Sequence, residues 1–183
     1  MLACRVICLH SALGLTAGVL EFADLLRAEG CTVEAPDFYD GLTFTSSAEG
    51  TAYRDEIGYP RLLERVADLQ VEGAALVGFS LGGSLAQRLC RPGVRLVSLV
   101  SALDPLPPGR RWCGVDVQLH QRADEPRVDD DGVAAFRAAV AAEGAMFDHF
   151  VLPGSGRLFT EPSQPEYDRD LTELTVDRII AAL

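Results

Sequence analysis

Lysine is absent from this chain: all 16 basic residues are arginine, against 27 Asp and Glu, for a formal charge of −11. Binding to a phosphate backbone runs on clustered positive charge, so nucleic acid is not an expected partner. Long apolar runs are missing too, and nothing approaches the length that spans a membrane. The first residues, Met1-Leu2-Ala3-Cys4-Arg5, lack a basic n-region, a long apolar stretch and a small-residue cleavage site, so no export signal is expected. The five cysteines (Cys4, Cys8, Cys31, Cys90, Cys113) show neither CxxC pairs nor zinc-finger spacing. They read as small buried hydrophobes in a reduced cytoplasm, and neither a metal nor a cofactor is expected. No linker and no internal repeat interrupts the 183 residues, which fits one domain over 1–183, as a monomer or homodimer.

What is present is an alternation of two periodicities. Apolar strand patterns occupy residues 5–10, 31–35, 74–79, 95–102, 115–120 and 146–152. Helical spacing occupies 18–30, 61–70, 84–90, 130–143 and 165–183, the first ending on Gly30 as helices commonly do. Between them, 37–53 is rich in Gly, Thr, Ser and Asp and reads as a long loop. Six strands interleaved with helices predict an α/β protein, a mainly parallel sheet with order 2-1-3-4-5-6 and helices on both faces. In such sheets reactive groups gather beyond the carboxyl ends of the strands.

The segment Gly78-Phe79-Ser80-Leu81-Gly82-Gly83 follows the third strand and opens a helix. This is the setting of a nucleophile elbow, in which a sharp strand-to-helix turn exposes the central residue and glycines on either side remove colliding Cβ atoms. Ser80 is therefore the candidate nucleophile. A hydroxyl at neutral pH is a poor one, so the site must also supply a base and oxyanion donors.

Taken together, Leu9-His10-Ser11-Ala12-Leu13-Gly14, Ala35-Pro36-Asp37-Phe38-Tyr39, the elbow, residues 120–128 and Leu152-Pro153-Gly154-Ser155-Gly156-Arg157-Leu158-Phe159 resemble the dienelactone hydrolase family, a small branch of the α/β-hydrolase fold. The resemblance covers nearly the whole chain. It implies an oxyanion hole from the backbone N–H groups of Leu81 and of Ala12 in the loop that also carries Ser11, and a substrate loop over residues 35–39. Ser11, Phe38 and Tyr39 are pocket candidates, with Phe44 and Trp112 as further aromatic ones. The family often carries Cys at the nucleophile, so Ser80 marks a serine variant. An ungapped match to the family's Asp-x-x-Val pattern, ending at Val128, puts the triad acid on Glu125, with Asp124 as rival.

The departure lies at the base. The family motif Pro-Gly-x-Gly-His-x-Phe here reads with Arg157 in the histidine position. A guanidinium stays protonated and offers no acceptor, so Arg157 cannot take the Ser80 proton. Loss of a triad histidine costs about 10⁶-fold in kcat in a serine protease, about 8 kcal/mol of barrier. Of the three histidines, His10 stands beside the oxyanion loop and is the candidate substitute base, although a structural role suits it better. His120 reads as a sheet-edge residue, and His149 as a surface or packing residue. The resemblance implies a small ester, lactone or acyl-thioester as substrate, with impaired or atypical hydrolysis. An acyltransferase passing an acyl group through Ser80 to an amine or hydroxyl is the alternative, and a ligand- or partner-binding protein without chemistry is the third.

Overall fold

The computed structural model describes residues 4–125 and 129–183. Its strands are β1 (Arg5–Leu9), β2 (Thr32–Glu34), β3 (Ala75–Phe79), β4 (Leu96–Val100), β5 (Val117–Asp124) and β6 (Phe147–Ser155). They form one six-stranded sheet in the order β2-β1-β3-β4-β5-β6, every pair parallel. The expected topology is the observed one. The helices are α1 (Ala17–Ala28), α2 (Ser47–Ile57), α3 (Tyr59–Val66), α4 (Leu81–Leu89), α5 (Asp130–Ala142) and α6 (Arg169–Ala181).

Both sheet faces are covered, which is why the inner strands read as unbroken apolar runs instead of alternating ones. On β1, Val6 and Cys8 point toward α1 and α6, where Phe22, Leu26, Val176 and Ile179 meet them. Ile7 and Leu9 point the other way, into a core built with Leu62 and Val66 of α3, Leu85 of α4 and Phe136 and Val140 of α5.

Two expectations need correction. The stretch read as a long loop, 37–53, holds the first two turns of the helix α2, which is started by Ser46: its side chain accepts from the Glu49 N–H. Ser46 Oγ also bonds the Glu49 carboxylate at 3.0 Å. The Ser-x-x-Glu start signal was present, but the helix buries only Gly50, so it shows no apolar stripe to read. The thiols are likewise not all free. Cys4 and Cys31 form a disulfide, as do Cys90 and Cys113, and Cys8 alone is a free, buried thiol, pushed up by burial to about 12. Cys4 and Cys31 each precede one of two neighbouring parallel strands, and the Arg5–Thr32 register brings them side by side. No local spacing rule detects a pairing made by register. The expectation of a reduced cytoplasm rested on free thiols and loses that support. No described helix is long and apolar enough to cross a membrane.

Candidate active site

Ser80 sits on the one-residue turn between β3 and α4 with φ 52° and ψ −108°. A non-glycine residue at positive φ is strained and persists only where its surroundings impose it. Here the Ser80 N–H donates to the Val100 carbonyl at 2.9 Å, and the Ser80 carbonyl accepts from the Gly83 N–H at 3.0 Å. The flanking glycines are sterically required. A Cβ on Gly78 would strike the Gly82 carbonyl, one on Gly82 would strike the Leu9 carbonyl, and one on Gly83 would stand 2.7 Å from the Ala102 Cβ. The sharp turn therefore packs α4 directly onto the ends of β1 and β3.

Because the strands are parallel, the loops after β1, β3, β5 and β6 emerge at the same edge, and they enclose a cavity of about 470 Å³. Ser11, Ala12 and Leu13 line it from the first loop, Ser80 from the elbow, Glu125 from the end of β5 and Gly156, Arg157 and Leu158 from the loop after β6. Ser47, Ala48 and Thr51 of α2 add a further wall. Reading the sequence missed these three because it missed the helix that carries them.

The first loop is self-braced. Ser11 Oγ accepts from the Leu13 N–H at 3.1 Å, and the Ser11 carbonyl accepts from the Gly14 N–H at 3.1 Å. Of the two oxyanion candidates, Ala12 borders the large cavity. Leu81, the first residue of α4, borders a smaller one of about 200 Å³ that shares Ser80 and Arg157 with it. The first N–H groups of a helix have no partner within it, which suits Leu81 to receiving an anion.

The rival acids separate clearly. Asp124 pairs in register with Ser155 and is exposed, whereas Glu125, one residue on, is 5% exposed and lines the cavity. Since Asp124 lies beside Ser155, Glu125 and Gly156 leave the sheet together, which brings Glu125 and Arg157 to one wall. Val128, the end of the pattern that chose Glu125, lies outside the described residues. The loop bearing Arg157 is anchored from below: Phe159 is fully buried, and its carbonyl accepts from the Asp168 N–H at 2.9 Å and from Thr172 Oγ1 at 3.3 Å.

Among the described residues, no histidine lines either cavity at Ser80. His10 is fully buried and stacks on Phe38 with ring centroids 3.5 Å apart. Its Nδ1 lies 2.7 Å from the Ser11 carbonyl, and its Nε2 accepts from the Phe38 N–H at 3.2 Å. Those contacts assign the neutral tautomer protonated at Nδ1 and occupy both nitrogens. Burial pulls its pKa down to about 4, against the opposing pull of the Ser11 carbonyl and Asp37. His10 is thus a structural residue, and the idea that it substitutes as base finds no support in its contacts.

Phe38 and Tyr39 are also corrected. Both are fully buried core residues, drawn inward by stacking with His10 and by edge contacts with Phe44 and Tyr53. Trp112 packs on Phe136 in the core, and Phe44 on Tyr39 and Tyr53. Of the pocket candidates, Ser11 alone reaches the cavity. His120 is not at the sheet edge, because β5 runs on to Asp124: it is buried, bonds Gln118 Oε1 through Nε2 at 3.2 Å, and is held down to about 3 by burial and by Arg178. His149 is half-buried on β6, its pKa lowered by burial and by Arg137.

The sequence profile of the alpha/beta hydrolase family matches residues 6–181. The chain belongs to the alpha/beta hydrolase family. Among solved structures, this alpha/beta hydrolase is similar to the dienelactone hydrolase-like promiscuous phosphotriesterase P91 from metagenomic libraries, with a TM-score of 0.78 and 21% identity over 97% of this chain and 84% of that one. It is also similar to a Klebsiella pneumoniae protein assigned as a dienelactone hydrolase, with a TM-score of 0.74 and 15% identity over 99% and 87% of the two chains. Esterase PE8 follows with a TM-score of 0.65 and 17% identity, over 98% and 93%. At these identities the likeness is one of fold. No curated protein matches the chain in sequence.

Proposed function

We propose that this alpha/beta hydrolase forms an acyl-enzyme at Ser80 from a small ester, lactone or thioester, and that it hydrolyses simple esters poorly because Arg157 stands where the base belongs. The observation that carries this reading is the strained Ser80 backbone, φ 52°, at the mouth of a cavity shared with Glu125 and Arg157. Strain of this kind costs about 1–3 kcal/mol and gathers at functional sites.

In the proposed reaction Ser80 Oγ attacks the substrate carbonyl and loses its proton to water in the cavity, while the N–H groups of Leu81 and Ala12 receive the developing oxyanion. Collapse of that intermediate breaks the acyl bond and expels the alcohol or thiol with a proton from water. Glu125 orients Arg157 instead of a histidine. An intact oxyanion hole retains about 10³–10⁴-fold over water when the triad is broken, far below the loss of about 10⁶-fold that removal of the base inflicts. Slow acylation with still slower water attack is the expected balance.

A second reading, acyl transfer to an amine or hydroxyl acceptor, is favoured by the two cavities that meet at Ser80, since one can seat the acyl group and the other its exchange partner. A fluorophosphonate probe with intact-mass readout tests both readings. Modification of the native protein and none of Ser80→Ala is expected. Absence of modification in a folded native protein would leave a binding role without chemistry.

A further inference from the structure

A carboxylate that the proposed reaction does not use stands directly behind the site. Glu161 is 5% exposed, on the turn that follows Arg157 and Leu158. A void of about 10 Å³ is bordered by Ser11, Gly18, Leu158 and Glu161, and Ser11 and Leu158 also line the large cavity at Ser80. Glu161 thus backs the wall that Ser11 and Leu158 give that cavity.

Its bonds run to both halves of the wall. On its own loop the Glu161 N–H donates to the Leu158 carbonyl at 2.9 Å, and Oε1 accepts from Ser163 Oγ at 3.0 Å. Across the gap, Oε2 accepts from Thr16 Oγ1 at 2.5 Å. Thr16 caps α1, its Oγ1 accepting from the Val19 N–H at 3.4 Å, and its own N–H donates to the Gly14 carbonyl at 2.9 Å. Gly14 in turn donates to the Ser11 carbonyl. A series of hydrogen bonds therefore runs from Leu158 to Ser11, with the Glu161 side chain as the link between the two segments.

The fit is close. A Cβ on Gly18 would stand 2.5 Å from Glu161 Oε1 and 2.6 Å from Pro162 Cδ, so the first turn of α1 admits the carboxylate because residue 18 has no side chain. The N–H groups of that turn favour a negative charge. Stability alone does not call for this arrangement, since an apolar side chain of similar volume fills a buried gap without the cost of desolvating a carboxylate. What the carboxylate adds is direction, because its oxygens bond only to donors placed for them.

We propose that Glu161 is a positioning residue for the chemistry of Ser80: it ties the segment that carries Arg157 and Leu158 to the amino end of α1, and so holds the loop of Ser11 and Ala12 in place across the cavity. The inference rests on the reading of Ser80 as nucleophile. Cutting the tie leaves the elbow intact and lets the two loops drift, and a misplacement of about 1 Å costs a reaction up to about 10²-fold.

Fluorophosphonate labelling of Ser80, resolved into an affinity (KI) and a maximal rate (kinact) well below each variant's unfolding midpoint, tests the role. Glu161→Met keeps the length and volume of the side chain and removes both acceptors. It should lower kinact on the order of 10- to 10²-fold with little change in KI. Thr16→Val should do the same, whereas Thr16→Ser, which keeps the hydroxyl, should label at the native rate. The double variant Glu161→Met/Thr16→Val should be no slower than the slower single one, because both cut the same link. A residue that merely supports the fold would shift the unfolding midpoint and leave kinact alone. Should Glu161→Met fail to fold, the two Thr16 variants carry the comparison. Native kinact in Glu161→Met and Thr16→Val, equal losses in Thr16→Ser and Thr16→Val, or additive losses in the double variant overturn the proposal. If the native protein labels and the variants match it, the positioning role alone falls; if the native protein takes no label, the nucleophile reading falls and the positioning role with it.

Discussion

Gly82 of α4 lies against the carbonyl of Leu9 at the end of β1, so closely that any Cβ at position 82 would overlap that oxygen. The contact joins the elbow to the strand that leads into the loop of Ser11, Ala12 and Leu13, which lines the same cavity as Ser80. Gly82→Ala should therefore destabilise the fold by about 1–3 kcal/mol, the usual cost of overpacking. Urea unfolding measures it, and an unchanged midpoint would contradict the close approach.

A second glycine ties α2 to the same loop. A Cβ on Gly50 would strike the Ala12 carbonyl, and Gly50 is the residue through which α2 is buried. Gly50→Ala should shift α2, and with it the cavity wall made by Ser47, Ala48 and Thr51. The fluorophosphonate reaction at Ser80 should change by about tenfold, the effect of roughly 1.4 kcal/mol. Unaltered labelling would show that α2 does not shape the site.

These glycines illustrate what could and could not be read before the structure. The elbow turn was legible because its signal is local: a strand, two glycines around a serine and a helix, all within residues 75–89. The parallel sheet was legible from its apolar runs. Long-range contacts were not. Phe38 and Tyr39 follow the second strand, where pocket residues are expected, yet stacking with His10 turns them into the core. Cys4 and Cys31 meet through strand register, and α2 has too little apolar surface to announce itself. Glu125 matched a pattern in the sequence; that it and not Asp124 borders the cavity follows from the side-by-side exit of β5 and β6, which no local pattern shows.

Acid should weaken the protein through His10 and His120. Both are buried, with pKa values lowered to about 4 and about 3, whereas an unfolded histidine takes up its proton near 6.5. Below pH 6.5 the unfolded state thus binds protons that the folded state does not. Stability falls with pH between about 6.5 and 4, by up to about 1.4 kcal/mol per pH unit for each histidine. Unfolding free energy measured across that window should show the slope, and His120→Gln should lower it. An equal slope in the variant would place the acid sensitivity elsewhere.

With two disulfides, one thiol of five should react with a thiol reagent in the denatured, unreduced protein. Each bridge closes a loop of moderate length, sequence separations 27 and 23, for which chain-entropy arguments give about 3–4 kcal/mol. Reduction should lower the denaturation midpoint accordingly. Five reactive thiols without reduction would contradict both pairings.

The central claim is that Ser80 is a nucleophile in place and that Arg157 holds back its hydrolytic turnover. Arg157→His tests it most directly, with p-nitrophenyl acetate turnover as the readout and Ser80→Ala in the same background as control. The account predicts that Arg157→His raises Ser80-dependent turnover by at least about 10²-fold, the lower end of what a positioned general base contributes. Unchanged turnover in a well-folded Arg157→His protein, or fast Ser80-dependent hydrolysis by the native protein, would contradict it.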